Sequence, residues 1–187
     1  MNHYFLFATP IGHCGIAWRD DVVIASHLPG KDATTTAAQI ARRAEAELGQ
    51  PPMSIKHAIE QITQLLEGGQ TDLTQIDCDF SQLNLFAQSV LAATRMIPAG
   101  QTKTYGEIAE ELGDKQKAQQ VGRALGHNPI PIIVPCHRVI GANNKLVGFS
   151  APGGLDLKLK MLLIEGARFG DEPGLFDDMP MPIRPEK

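Results

Sequence analysis

Residues 128–141 read Asn-Pro-Ile-Pro-Ile-Ile-Val-Pro-Cys-His-Arg-Val-Ile-Gly. Apolar residues and prolines lead straight into a Cys-His pair. Proline fixes φ and removes a backbone donor, so this approach holds Cys136 largely buried and rigid. A buried cysteine is by default a small hydrophobe, and an apolar pocket raises its pKa and keeps it inert. Activation needs a base. His137 is adjacent, but neighbouring side chains on a helix diverge, so a bridging water suits the pair better than direct contact. A carboxylate holding the imidazole completes a relay of nucleophile, base and orienter. Pro135 suits a helix start, where the dipole favours a thiolate.

Glu165 is the candidate carboxylate. The last strong helix runs from about Leu155 to Glu165, with Leu155, Leu159, Leu162 and Leu163 apolar and Gly166 as its cap. Lys158 and Glu165 are seven residues apart and share a face. A Glu at a helix C-terminus opposes the macrodipole. The bland reading is a solvated helix end; the functional one is a local conflict of the kind active sites tolerate.

The rest of the chain divides into two kinds of pattern. Residues 4–28 read as a β-meander, with turns at Thr9-Pro10-Ile11-Gly12 and Asp20-Asp21. Thr36–Leu48 reads as a helix closed by Gly49, and Ser54 caps a second helix that Gly68-Gly69 ends. Residues 70–80 are polar and read as a linker. Helical signals follow: Ser81 to about Thr94, with Leu83, Phe86 and Val90 inward, then a capping box Thr104-x-x-Glu107 ahead of Ile108, Ala109 and Leu112. Gly113 ends that short helix, and Ala118, Val121, Ala124 and Leu125 form the next apolar stripe. Two short helices about a tight turn read as helix-turn-helix, or as a plain helical hairpin. The second would expose Gln119, Gln120, Gly122 and Arg123.

Charge follows the same division. The net charge is −4, which taken whole argues against a nucleic-acid partner. Residues 1–79 carry 5 basic and 10 acidic side chains, residues 80–170 carry 10 and 6, and residues 171–187 carry 2 and 5. The middle segment is thus basic in an acidic chain, a hint of a polyanion partner. Hydrophobic residues at 43% and charged residues at 20% are globular values. Cys14, Cys78 and Cys136 make an odd number without close spacing, so neither a disulfide framework nor a metal site is expected. The apolar run Tyr4–Ala8 is too short for a signal segment or a membrane span. The expected setting is soluble, reduced and intracellular.

Pro135-Cys136-His137-Arg138-Val139, Asn128-Pro129, Tyr105-Gly106-Glu107-Ile108-Ala109, Gly148-Phe149-Ser150, Gly153-Gly154 and Leu162-Leu163-x-Glu165-Gly166 together resemble the O6-alkylguanine-DNA alkyltransferase family. The resemblance spans roughly residues 80–168, and Thr9-Pro10-Ile11-Gly12 resembles the start of that family's N-terminal domain. It implies an α/β, ribonuclease-H-like domain over 1–79 and an all-α alkyltransferase domain with a helix-turn-helix motif over 80–170; residues 171–187, acidic and proline-rich, read from their composition as a disordered tail. It implies single-turnover repair, in which an alkyl group passes irreversibly from O6-alkylguanine, or from O4-alkylthymine, to Cys136 without a cofactor. The implied partner is double-stranded DNA, met by a cytoplasmic or nucleoid-associated monomer.

The resemblance also implies roles. His137 is the base, acting through water, and Glu165 holds it. Asn128 is a hinge between the helix-turn-helix and the cysteine segment. Tyr105 meets a phosphate and the flipped base, and is the candidate proton donor to the leaving guanine. Val139, Phe149, Ser150 and Lys158 surround the base, and Thr104, Ala118, Gln119, Gly122 and Arg123 face the DNA. A base inside a duplex is unreachable, so it must flip out. The family's intercalating arginine falls at Gln119, which loses cationic stacking and phosphate attraction. Phe149 stands where some members have Tyr, and the zinc ligands of some eukaryotic members have no match, so no metal is expected. Rival readings are a non-enzymatic sensor of alkylated bases, a helix-turn-helix regulator, which has no need of Pro-Cys-His-Arg, and a cysteine hydrolase, for which no oxyanion-type glycine motif lies nearby.

Overall fold

The structure, a computed structural model, describes residues 1–167. The expectation for residues 171–187 lies outside the described residues. Strands β1 (Asn2–Thr9), β2 (Gly12–Arg19) and β3 (Val22–His27) form the expected meander, each antiparallel to the next. Pro10 and Ile11 make the first turn, and Gly12 takes φ 123°, where a Cβ would also sit 2.9 Å from Pro29. Alternation along β2 sends Cys14, Ile16 and Trp18 into one core and Ala17 into another, so the strand is covered on both faces.

The following helix differs from expectation. Helix α1 spans Ala33–Ala44, starts earlier and ends earlier. Asp32 caps it by accepting from the Thr35 N–H at 2.7 Å. Glu45 then turns left-handed at φ 47°, and Ala46–Leu48 becomes β4, parallel to β1 at the sheet edge. The sheet order is β3-β2-β1-β4. Helix α2 (Met53–Leu66) begins after Pro52. Ser54 is therefore no cap; it lies inside the helix and donates to Asp21 Oδ1 at 2.6 Å. Ile55, Ile62, Leu65 and Leu66 are its buried face.

Residues 70–80 are tied down rather than loose. Leu73 and Ile76 are buried. Val23 donates to Asp77 O at 2.9 Å and accepts from the Asp79 N–H at 2.9 Å. Arg95 donates to the carbonyls of Leu73 and Ile76. Helix α3 (Leu85–Arg95) begins later than expected because Asn84, not Ser81, is its cap, accepting from the Ala87 N–H at 2.9 Å.

Helix α4 (Tyr105–Glu111) carries the expected capping box. Glu107 N donates to Thr104 Oγ1 at 3.1 Å, and Thr104 N donates to Glu107 Oε2 at 2.6 Å. A 3-10 turn at Lys115–Lys117 leads into α5 (Ala118–Gly126), and α6 (Gly154–Ile164) closes the described chain. The C-terminal half is not all helical: β5 (Lys103–Thr104) and β6 (Val139–Ile140) form a small parallel pair. One core cluster joins Ile16, Trp18, Ile62 and Leu65 to Ile130, Ile132, Ile133 and Met161. A second packs α3, α4 and α5 against Val134 and Val139. Cys136 packs against this second cluster. Among the described residues, no helix is long and apolar enough to cross a membrane.

Candidate active site

Cys136 opens a single 3-10 turn, Cys136–Arg138, after Pro135. The expected helix start is thus one turn long, too short for a macrodipole, and the thiol environment comes from side chains instead. Burial pushes the Cys136 thiol up, opposed by the Asn128 side chain and by the charge of Lys158.

His137 is fully buried. Its Nε2 lies 2.8 Å from Glu165 Oε1. An ionised carboxylate only accepts, so Nε2 carries the proton and Nδ1 holds the ring's lone pair. Nδ1 is buried and has no protein hydrogen-bond partner among the described residues, Cys136 included. Burial holds the imidazole below its ordinary pKa despite Glu165, so the ring is neutral at pH 7.

Glu165 ends α6 and turns inward instead of meeting solvent. Burial acts to raise its pKa, but the hydrogen bonds and charges of His137 and Arg138 together take it down to about 2. Arg138, which sequence reasoning did not single out, donates from Nε to Oε2 and from Nη2 to Oε1, both at 2.9 Å. It also donates from Nη1 to Ile97 O at 2.5 Å. The signal for it was its place in Pro-Cys-His-Arg beside His137. A buried carboxylate needs a charged partner, and Arg138 is that partner.

Asn128 holds the cysteine segment. Its Nδ2 donates to Val134 O at 3.0 Å, and its Oδ1 accepts from the Ile130 N–H at 3.0 Å. Between them Ile132 takes φ 77°, a left-handed conformation that a β-branched residue holds only when its surroundings enforce it. The N-terminal half enforces it from the other side. Ser26 donates from its backbone N–H to Pro129 O at 3.0 Å and from Oγ to Pro131 O at 2.6 Å. Arg43 on α1 donates to Asn128 O at 2.6 Å.

Lys158 is buried on α6, and its Nζ donates to Val139 O at 2.6 Å and Val147 O at 2.9 Å. It also lies 5.8 Å from the Phe149 ring centroid. Burial pulls its pKa down to about 8, partly offset by Cys136. The Val139 carbonyl is thus already engaged. Tyr105 begins α4 with its ring against Gly122 on α5. Its hydroxyl makes long bonds to Val147 O at 3.4 Å and Gly148 O at 3.3 Å. Gly148 takes φ 61°, and a Cβ there would lie 2.8 Å from the Tyr105 hydroxyl oxygen. Ser150 donates to Gly126 O at 3.3 Å.

A cavity of about 140 Å³ reaches Cys136, with Asn128, Gly148, Phe149 and Ser150 in its wall. His27, Leu28 and Arg43 complete that wall from the N-terminal half, and no local motif announces them. Gln119 and Arg123 are exposed on α5, with Ala118 and Gly122 half-buried beside them. Thr104 is less available than expected: its hydroxyl also donates to Glu107 Oε2 at 2.8 Å within the capping box. The middle segment's positive charge is also partly internal. Arg138 and Lys158 are buried, and Lys103, Lys115 and Lys117 pair with Glu111, Glu110 and Asp114.

A family model described as "6-O-methylguanine DNA methyltransferase, DNA binding domain" matches residues 85–167. A methylated-DNA–protein-cysteine methyltransferase of Mycolicibacterium paratuberculosis is 37% identical over 178 residues, covering 95% of this chain and all of that protein. One from Methanosarcina acetivorans is 52% identical over 82 residues, 44% of this chain and 51% of its own. The crystal structure of the Mycobacterium tuberculosis O6-methylguanine methyltransferase superposes with a TM-score of 0.73 at 34% identity, over 95% of this chain and 100% of that one. A Mycobacterium tuberculosis OGT solved in complex with DNA gives 0.71 at 34% identity, over 88% and 92% of the two chains. With the motifs around Cys136 and a full-length relative in agreement, the chain belongs to the methylated-DNA–protein-cysteine methyltransferase family.

Proposed function

We propose that this protein repairs DNA directly, taking the alkyl group of O6-alkylguanine onto Cys136 once and irreversibly. The observation that carries this reading is the buried chain Arg138–Glu165–His137 behind a cysteine that faces a cavity. Neutral His137 receives the thiol proton at Nδ1 through a water molecule. Glu165, kept ionised by Arg138, stabilises the imidazolium that forms. The thiolate attacks the alkyl carbon, the S–C bond forms as the C–O6 bond breaks, and the electron pair left on guanine takes up a proton. Tyr105, beside the cavity, is the donor nearest in chemistry to that task. The buried Lys158 ammonium holds the Val139 and Val147 backbone around the base.

The α4–turn–α5 unit acts as a helix-turn-helix, with Ala118, Gln119, Gly122 and Arg123 on the face toward double-stranded DNA and Thr104 at its edge. Residues 1–79 form a ribonuclease-H-like support and residues 80–170 the reacting unit of a monomer. An alkylated base that pairs badly costs least to flip, which selects damage over normal guanine. Intact mass measurement after incubation with duplex DNA carrying O6-methylguanine tests the proposal. One methyl group gained on Cys136, and none in Cys136→Ala, is the expected result; an unchanged mass with retained DNA binding favours the second reading, a sensor of alkylated bases, for which Gln119 in place of a finger arginine is the supporting observation.

A further inference from the structure

The reaction cavity has a cation at its mouth that the chemistry above does not use. Arg43 comes from α1, lines the cavity with Cys136, and is anchored by its bond to Asn128 O at 2.6 Å. That bond occupies one guanidinium nitrogen and leaves other donors of the planar fork available. Its neighbour in the wall, His27, has Nδ1 2.6 Å from Leu28 O. A carbonyl only accepts, so the His27 proton sits on Nδ1, and burial keeps the ring below its ordinary pKa, hence neutral. No Asp or Glu lines the cavity, and no carboxylate pairs with Arg43 among the described residues. The rest of the wall is apolar or uncharged, with Leu28, Leu125, Pro131, Phe149, Ala151 and Pro152 prominent.

Resting on the alkyl-transfer reading, we infer that Arg43 forms an oxyanion subsite at the mouth of the Cys136 cavity, which favours substrates bringing an anion there. Two sources share that chemistry: a carboxylate at the end of the alkyl group, as in O6-carboxymethylguanine, and a phosphate flanking the flipped nucleotide. In the first case the transfer step is unchanged. Cys136 sulfur bonds to the methylene carbon as the C–O6 bond breaks, the thiol proton goes to His137, guanine takes up a proton from Tyr105, and the carboxylate remains a spectator held by the guanidinium. Anchoring by Asn128 O orients the guanidinium before the substrate arrives, which lessens the ordering cost of binding.

Single-turnover rates for wild type, Arg43→Gln and Arg43→Lys test this on three duplexes. One carries O6-methylguanine, one O6-carboxymethylguanine, and one O6-methylguanine with uncharged methylphosphonates as its flanking linkages. A charge-assisted hydrogen bond lost on Arg43→Gln lowers the rate on the order of tenfold. That loss confined to carboxymethyl transfer identifies the alkyl carboxylate. A loss on methyl transfer that vanishes with methylphosphonates identifies the phosphate. In either case Arg43→Lys restores part of the rate. Equal loss on all three duplexes assigns Arg43 to holding Asn128 alone and overturns the inference, as does no loss on any. Wild type that takes no alkyl group from any duplex overturns the alkyl-transfer reading itself, a distinct result.

Discussion

Arg138 grips Glu165 through both carboxylate oxygens, Nε to Oε2 and Nη2 to Oε1, each at 2.9 Å. The pair is buried, and the same Oε1 also receives His137 Nε2. The His137 imidazole is therefore oriented by a carboxylate that is itself held flat and ionised by a fork of matching geometry.

Breaking that pair leaves a buried charge without its partner. Arg138→Met is expected to cost about 3–5 kcal/mol of stability and to slow transfer, because Glu165 loses the cation that keeps it ionised. Urea unfolding together with single-turnover rates checks this. A variant as stable and as fast as wild type would show that the pair is dispensable.

Acid stability carries the same signature. The folded Glu165 carboxyl lies at about 2, below its ordinary 4.5. Its stabilisation is complete above the unfolded value and fades as pH falls from about 4.5 toward about 2. His137 acts in the same direction: held below its ordinary 6.5, it is neutral in the fold while the unfolded chain takes up its proton. Unfolding free energy measured from pH 7 downward is expected to fall first through the histidine range and then through the carboxylate range. In Glu165→Gln the second fall should be shallower.

Gln119 is exposed on the α5 face proposed to meet DNA. Gln119→Arg adds a cation there. It is expected to tighten binding and to steepen the dependence of log affinity on log salt by roughly 0.9 for one phosphate contact. Binding titrations at several salt concentrations read this out, and an unchanged slope would remove Gln119 from the DNA interface.

Asn128 makes two buried hydrogen bonds within its own loop. Asn128→Ala strands the Val134 carbonyl and the Ile130 N–H, each worth about 1–3 kcal/mol when left unsatisfied. Asn128→Asp keeps the acceptor for Ile130 but buries a carboxylate and sets one of its oxygens against the Val134 carbonyl, so it should stand no higher than Ala in a thermal melt.

What was legible in the sequence was local. Thr104 and Glu107 satisfy each other across one turn, so their spacing alone located the start of α4. The β-meander was readable because alternation and turn residues sit side by side in the chain. Ala46–Leu48 was not: its residues suit a helix, and only the left-handed Glu45 and the free edge of β1 make it a strand. Leu73 and Ile76 were lost in a polar stretch, because their burial depends on partners far away in sequence. In the site, Cys136, His137 and Glu165 were legible through their motif, and the structure brings His137 and Glu165 into contact. Arg138 was overlooked because its partner stands 27 residues away. Arg43 and His27 reach the cavity only through tertiary packing, which no spacing encodes.

The bonds from Ser26 and Arg43 to the carbonyls of Asn128, Pro129 and Pro131 give the N-terminal half a share in holding the Cys136 segment. The loop cannot swing open without breaking contacts made by a distant part of the chain, so opening the loop and loosening β3 are one cooperative event. Amide exchange at Ser26, whose N–H is held by Pro129 O, is expected to report on how firmly the Cys136 segment is held. A protein that spends itself in one reaction has no later cycle in which to correct a misplaced sulfur. Its accuracy is built in beforehand, by strands that take no part in the chemistry.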